Sequence, residues 1–269
     1  MAATQSLDTS AASRLVYETL DLIVDNVPLQ LSTVRRHSNH TTLAPILLLH
    51  GFGSTKEDYT DLVHHPSFKG RPFLTYDAPG CGATHCADLS ALSIPFLVRT
   101  ARAVLAHYAI TSFHLAGHSM GGLTGLLLAC EEGPRVLSFI DIEGNVAPED
   151  CFLSRQIVTH PHADPEGFLA ACVDRARRAP EYAPALYAAA LPGKVRAGAV
   201  CGIFESVVRL SDEGALMGRF LGLQCPRMFM YGEQNAELSY LGTLEENGVE
   251  LAEVPFARHW PMYSNAVEM

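Results

Sequence analysis

The sequence predicts an α/β protein: a mostly parallel sheet flanked by helices, with a helical insertion. Three observations predict it. Apolar, strand-like runs alternate with helical patterns over residues 45–142, the alternation stops over 147–221, and a glycine-flanked serine, Ser119, stands where a strand gives way to a helix. The 269 residues suit one elaborated domain, read as a core of residues 1–146 and 222–269 interrupted by a helical cap over 147–221.

A hairpin is expected first, because residues 14–24 and 27–36 alternate apolar and polar side chains around the turn signal Asp25-Asn26. Residues 45–50 are a continuous apolar run closed by Gly51-Phe52-Gly53, as in a strand buried on both faces. A short helix over 55–64 should follow, with Ser54 as N-cap and Glu57 at capping-box spacing. Strand 72–77 runs into Ala78-Pro79-Gly80-Cys81-Gly82 and a helical pattern over 94–108; strand 113–116, helix 120–131 and strand 136–142 come next. The insertion reads as alanine-rich helices at 165–178, 184–191, 196–210 and 212–221 with prolines at the breaks, and it is too long for a loop. Core order resumes with strand 227–231, helix 237–248 and strand 250–255, and a closing helix is expected from about Asn265.

The formal net charge of −10 leaves no basic stripe for phosphates or anionic lipid heads, so nucleic acid and membrane surfaces are not expected partners. Residues 1–13 do not read as a secretory signal, and runs such as 44–49 are too short to span a bilayer. The seven cysteines are scattered and include no C-x-x-C pair; they read as reduced thiols of a cytoplasmic protein, with a metal or disulfide at Cys81 and Cys86 the weaker reading.

Gly117-His118-Ser119-Met120-Gly121-Gly122 matches G-x-S-x-G in the required context, after a strand and before a helix. The glycines have a steric reason: the serine occupies a sharp turn whose neighbours have no room for side chains. A serine hydroxyl is a weak nucleophile at neutral pH and needs a base, while the helix N-terminus beneath it favours a developing oxyanion. His259 is the candidate base. It lies just beyond the last strand, and no other histidine follows residue 162; His64, His65, His160 and His162 read as solvated or structural. Two backbone N–H groups, of Met120 and Phe52, are assigned to the oxyanion, with Gly53 as the second choice beside Phe52. His50 could brace that loop. Gly53, His118 and Trp260 are further candidates for contact with substrate.

His50-Gly51-Phe52-Gly53, Asp77-Ala78-Pro79-Gly80-Cys81-Gly82, the Ser119 turn and the late His259 together resemble the α/β-hydrolase superfamily, over essentially the whole chain. The resemblance implies the α/β-hydrolase fold with a cap, and a serine hydrolase of esterase or lactonase type that needs no metal or cofactor. Most members carry an aspartate after the penultimate strand, in a segment like Gly-Glu-x-Asp. Here the segment is Gly232-Glu233-Gln234-Asn235, and the expected carboxylate is an amide. A neutral Asn235 could orient His259 but could not stabilise its imidazolium by charge.

Strand 136–142 ends in Asp141-Ile142-Glu143, on the same side of the sheet as the other catalytic loops. Alternation puts Asp141 and Glu143 on one face, with Glu143 nearer the exposed end. Zearalenone-lactonase-like members look similar here, with a glutamate after this strand at a comparable distance beyond the serine. Glu143 is therefore the expected acid; Asp141 and Glu233 remain alternatives. The apolar insertion should roof a pocket for a small, mostly apolar molecule. Ester or lactone hydrolysis through an acyl-enzyme is the leading expectation. Amide, thioester or carbon–carbon bond hydrolysis, a cofactor-free lyase and a hydrolase-like receptor are the alternatives. Dehalogenase and epoxide hydrolase chemistry is disfavoured, because those relatives carry aspartate where Ser119 stands.

Overall fold

The computed structural model describes residues 15–36, 42–160, 164–180 and 182–269. Segment 1–13, Arg14 at the start of the expected hairpin, and His162 lie outside them. The hairpin forms from β1 (Leu15–Val24) and β2 (Val27–Arg36). Asp25 and Asn26 take positive φ, 49° and 65°, as a two-residue turn matched to strand twist requires.

Next come β3 (Ile46–Leu49), β4 (Phe73–Tyr76), a short β5 (His85–Cys86) that pairs with β2, α1 (Ile94–His107), β6 (Phe113–His118), α2 (Met120–Glu132) and β7 (Val136–Ile142). After the insertion come β8 (Arg227–Gly232), α7 (Leu241–Glu246), β9 (Glu250–Val254) and α8 (Pro261–Ser264). Among the described residues the strands form one sheet, ordered β1-β2-β4-β3-β6-β7-β8-β9. It is parallel from β4 to β9. Strand alternation divides the core. Leu47 and Leu49 join the main cluster, in which α1 and α2 cover one face, whereas Leu48 faces a smaller cluster with Val34, Tyr59, Phe73 and Ala116.

Among the described residues, four α-helices lie between β7 and β8: α3 (Pro165–Arg177), α4 (Tyr182–Lys194), α5 (Val200–Glu213) and α6 (Leu216–Leu221). α4 outruns its expected end, past Pro192, because its last turn is tied down: Gly82 N–H donates to the Lys194 carbonyl at 2.7 Å. The helix expected over 212–221 begins only at Leu216, since Ala215 adopts a left-handed φ of 49° that separates it from α5.

Three other expectations give way to tertiary contacts. Residues 55–64 form two 3₁₀ turns, Lys56–Tyr59 and Leu62–His64, capped at Thr55 rather than Ser54. Here Lys56 is drawn to Asp77, bonding it through both its backbone N–H and its ammonium at 2.9 Å. The helix expected over 237–248 shrinks to α7, because Ser239 bonds Glu149 and Tyr240 bonds Asp150. The closing helix forms earlier than expected, as α8, and stops at Asn265, whose side chain donates to the Pro255 carbonyl at 2.9 Å.

Candidate active site

β4 and β6 flank β3 on opposite sides, so the chain reverses its winding there and a crevice opens beyond the carboxyl ends of these strands. Phe52 follows β3, Ser119 follows β6, Glu143 follows β7 and His259 follows β9, all at that edge.

Ser119 has φ 53° and ψ −117° at the head of α2, a strained conformation for a residue with a side chain. The turn is this tight because its neighbours are glycines. A Cβ on Gly117 would collide with the Gly121 carbonyl, and one on Gly121 with the Leu49 carbonyl.

The Ser119 hydroxyl lies 2.9 Å from His259 Nε2. On the other side of the imidazole, Nδ1 is 3.5 Å from Glu143 Oε2, and the ring is largely buried. Glu143 takes a left-handed φ of 52°, which breaks the strand alternation. Its carboxylate therefore turns toward β8, where Oε1 accepts Gly232 N–H and Oε2 accepts the Asn235 amide, both at 2.7 Å. Asp141, expected on the same face, goes elsewhere: it is fully buried and packs against Gly122 and Gly144. Burial, with Asp150 and Glu143 nearby, pushes its carboxyl well above the usual range. Glu233 is exposed, and its carboxylate accepts Phe256 N–H at 2.7 Å. Of the three carboxylates considered, only Glu143 lies within ion-pair distance of His259 among the described contacts.

His50 braces the loop after β3: its Nδ1–H donates to the Gly51 carbonyl and its Nε2 accepts Ala78 N–H, both at 2.8 Å. Gly53 N–H is directed to the Cys81 thiol. Gly53 is thus placed behind the crevice wall. So is His118, a fully buried ring that donates Nε2–H to the His259 backbone carbonyl at 2.6 Å. Burial, reinforced by His259 nearby, pushes its pKa down to about 3, so it is a neutral strut beneath His259.

The alpha/beta hydrolase family model matches residues 46–269. The chain belongs to the alpha/beta hydrolase family. Among curated proteins it is similar to a proline iminopeptidase of Levilactobacillus brevis, 33% identical over 35% of this chain and 32% of that protein; the chain spans about a third of the length of the curated relatives it matches. Among solved structures it is similar to a carboxylesterase of the thaumarchaeon Nitrososphaera gargenis, with TM-score 0.69, 16% identity and coverage of 91% of this chain and 92% of that one. An epoxide hydrolase of Acinetobacter nosocomialis gives TM-score 0.71 at 15% identity, over 93% and 86% of the two chains. At such identities these structures share a fold with this alpha/beta hydrolase family chain.

In this family member the cavity over Ser119 is small, about 40 Å³. Phe52, Phe152, Tyr187, Phe204, Val207 and Trp260 give it apolar walls, and Asn145, Asp150 and Ser154 a polar corner. Trp260 lines it next to His259. Sequence reading missed Asn145 and Asp150. Asp150 accepts Val146 and Ala147 N–H and the Tyr240 hydroxyl, all at 2.8 Å, and burial pushes it up to about 6; nothing in a Pro-Glu-Asp turn signals that role. A larger groove of about 390 Å³ opens at the opposite edge, beside Pro45, Pro72 and Ser112, but among the described residues its lining holds no histidine to serve as base. Among the described residues no cluster of three or more His, Cys, Asp or Glu could hold a metal, and no helix is long and apolar enough to cross a membrane. All seven cysteines, Cys81 and Cys86 included, are unpaired thiols.

Proposed function

We propose that the protein is a serine hydrolase cleaving a carboxylic ester or lactone of a small, mostly apolar substrate. The observation that carries the reading is the 2.9 Å contact from the Ser119 hydroxyl to His259 Nε2, made by a serine held on a strained turn. Ser119 Oγ attacks the carbonyl carbon as its proton passes to His259. Glu143 stabilises the imidazolium, and the N–H groups of Phe52 and Met120 hold the oxyanion. The carbon–oxygen bond then breaks, His259 returns the proton to the departing oxygen, and water attacks the acyl-enzyme by the same route to release the acid.

The helices of residues 147–221 act as a cap, supplying Phe152, Tyr187 and Phe204 to the cavity walls. Fold likeness to both an esterase and an epoxide hydrolase leaves the chemistry to the residue at the turn, and a serine there selects acyl transfer. The iminopeptidase resemblance supports a second reading, amide hydrolysis on the same residues. The unpaired thiols are in keeping with a cytoplasmic location.

The test pairs a fluorophosphonate probe with a panel of short acyl esters, lactones and aminoacyl amides. Labelling should fall on Ser119, disappear in Ser119→Ala and His259→Ala, and accompany turnover of esters or lactones above amides. An unlabelled serine in a protein that binds such molecules tightly would make it a receptor, and preference for aminoacyl amides would make it a peptidase.

A further inference from the structure

The oxyanion loop is held from outside the sheet. Tyr187, on α4, is 3% exposed and donates its hydroxyl to the Phe52 carbonyl at 3.0 Å. On the side-chain side, the Phe52 ring packs on Phe204 of α5 with centroids 4.5 Å apart. Gly53, next in the chain, has φ +79°, and a Cβ there would collide with Tyr187. The Phe52–Gly53 peptide adjoins a residue with no side chain to restrict its backbone, and two hydrogen bonds hold its plane, the Tyr187 hydroxyl on the Phe52 carbonyl and the Gly53 N–H on the Cys81 thiol. The same ring lies 4.6 Å from Trp260, beside the base. Farther along α4, the Lys194 ammonium reaches Asp58 after β3 and Tyr263 on α8 at 3.2 and 3.3 Å. One helix of the insertion thus grips both loops that must meet over Ser119.

We infer that Tyr187 is a positioning residue for the reaction: its hydroxyl, bonded to the Phe52 carbonyl, aims the Phe52 N–H at the oxyanion. This rests on the serine hydrolase reading. The Phe52 N–H lies in the preceding peptide and shares the Phe52 Cα with the held carbonyl, so releasing the carbonyl acts on the donor through a shift of that Cα. Misplacements of about 1 Å at such sites cost up to about 100-fold in rate. Burial pushes the Tyr187 hydroxyl well above the usual phenol range, so it remains a protonated donor.

The experiment is Tyr187→Phe in the full chain, which keeps the ring and removes only the hydroxyl. Steady-state hydrolysis of p-nitrophenyl acetate and inhibition by phenylboronic acid, which forms a tetrahedral adduct on the serine, are read beside the melting temperature. We expect kcat to fall about 10- to 100-fold with KM within about twofold, and boronate affinity to weaken in step with kcat. A raised KM at unchanged kcat would make Tyr187 a wall of the cavity only and overturn the inference; so would a kcat loss without any loss of boronate affinity. Unaltered kinetics in the variant, with an active wild type, would overturn this inference alone. A wild type that neither turns over the ester nor takes up a fluorophosphonate would bring down the hydrolase reading and this one with it.

Discussion

Asn235 donates its side-chain amide to Glu143 Oε2 at 2.7 Å, and that same oxygen faces His259 Nδ1 at 3.5 Å. The amide lies in the Gly232-Glu233-Gln234-Asn235 segment after β8 and orients the Glu143 carboxylate without adding charge. Asn235→Asp would set a second carboxylate beside Glu143 and more negative charge near the imidazole. Both effects favour bound protons, so the acid limb of kcat/KM should move to higher pH by about one unit or more. A limb that stays in place would show that the pair does not govern the base.

Glu143→Gln removes the charge opposite His259 and keeps the shape. By comparison with triad acids elsewhere, turnover should fall by about 10²- to 10⁴-fold with the melting temperature little changed. Glu233→Gln, at an exposed carboxylate bonded to Phe256 N–H, should stay near wild type. The opposite ranking would move the acid to Glu233.

His118 is held at about 3 by burial and the neighbouring His259, below its ordinary value near 6.5. Below about pH 6.5 the unfolded chain takes up a proton that the folded one refuses, so this residue withdraws stability as pH falls from there toward 3. His118→Phe should therefore lose less stability than wild type between pH 7 and pH 5, as measured by urea unfolding. It should also turn over more slowly, because the strut under the His259 carbonyl is gone. Equal pH slopes in the two proteins would contradict the buried, neutral assignment.

Asp141 has the opposite sign. Its folded carboxyl titrates well above the ordinary range because it is buried without a side-chain partner among the described residues. The folded state thus holds a proton that the unfolded state releases above about pH 4, and stability falls as pH rises from there. Asp141→Asn should be more stable than wild type at pH 7, with the gap closing toward pH 4. A variant less stable at every pH would mean that the carboxyl makes a contact an amide cannot.

Ser119 and His259 were legible because their signals are local: a glycine-flanked turn between a strand and a helix, and a lone late histidine just past the final strand. The alternating core was legible for the same reason, since burial writes its period into the chain. Where side chains instead answer to distant partners, the sequence misled, as at residues 55–64, where Lys56 answers to Asp77, and at 237–240, where Tyr240 answers to Asp150. Among the acids, the resemblance to lactonases favoured Glu143, but strand alternation could not part it from Asp141. A left-handed turn at Glu143 parts them, swinging one carboxylate to Asn235 and leaving the other inside. The hold of Tyr187 on Phe52, 135 positions apart, likewise exists only once α4 docks, because a hydrogen bond between remote segments leaves no periodic trace in either of them.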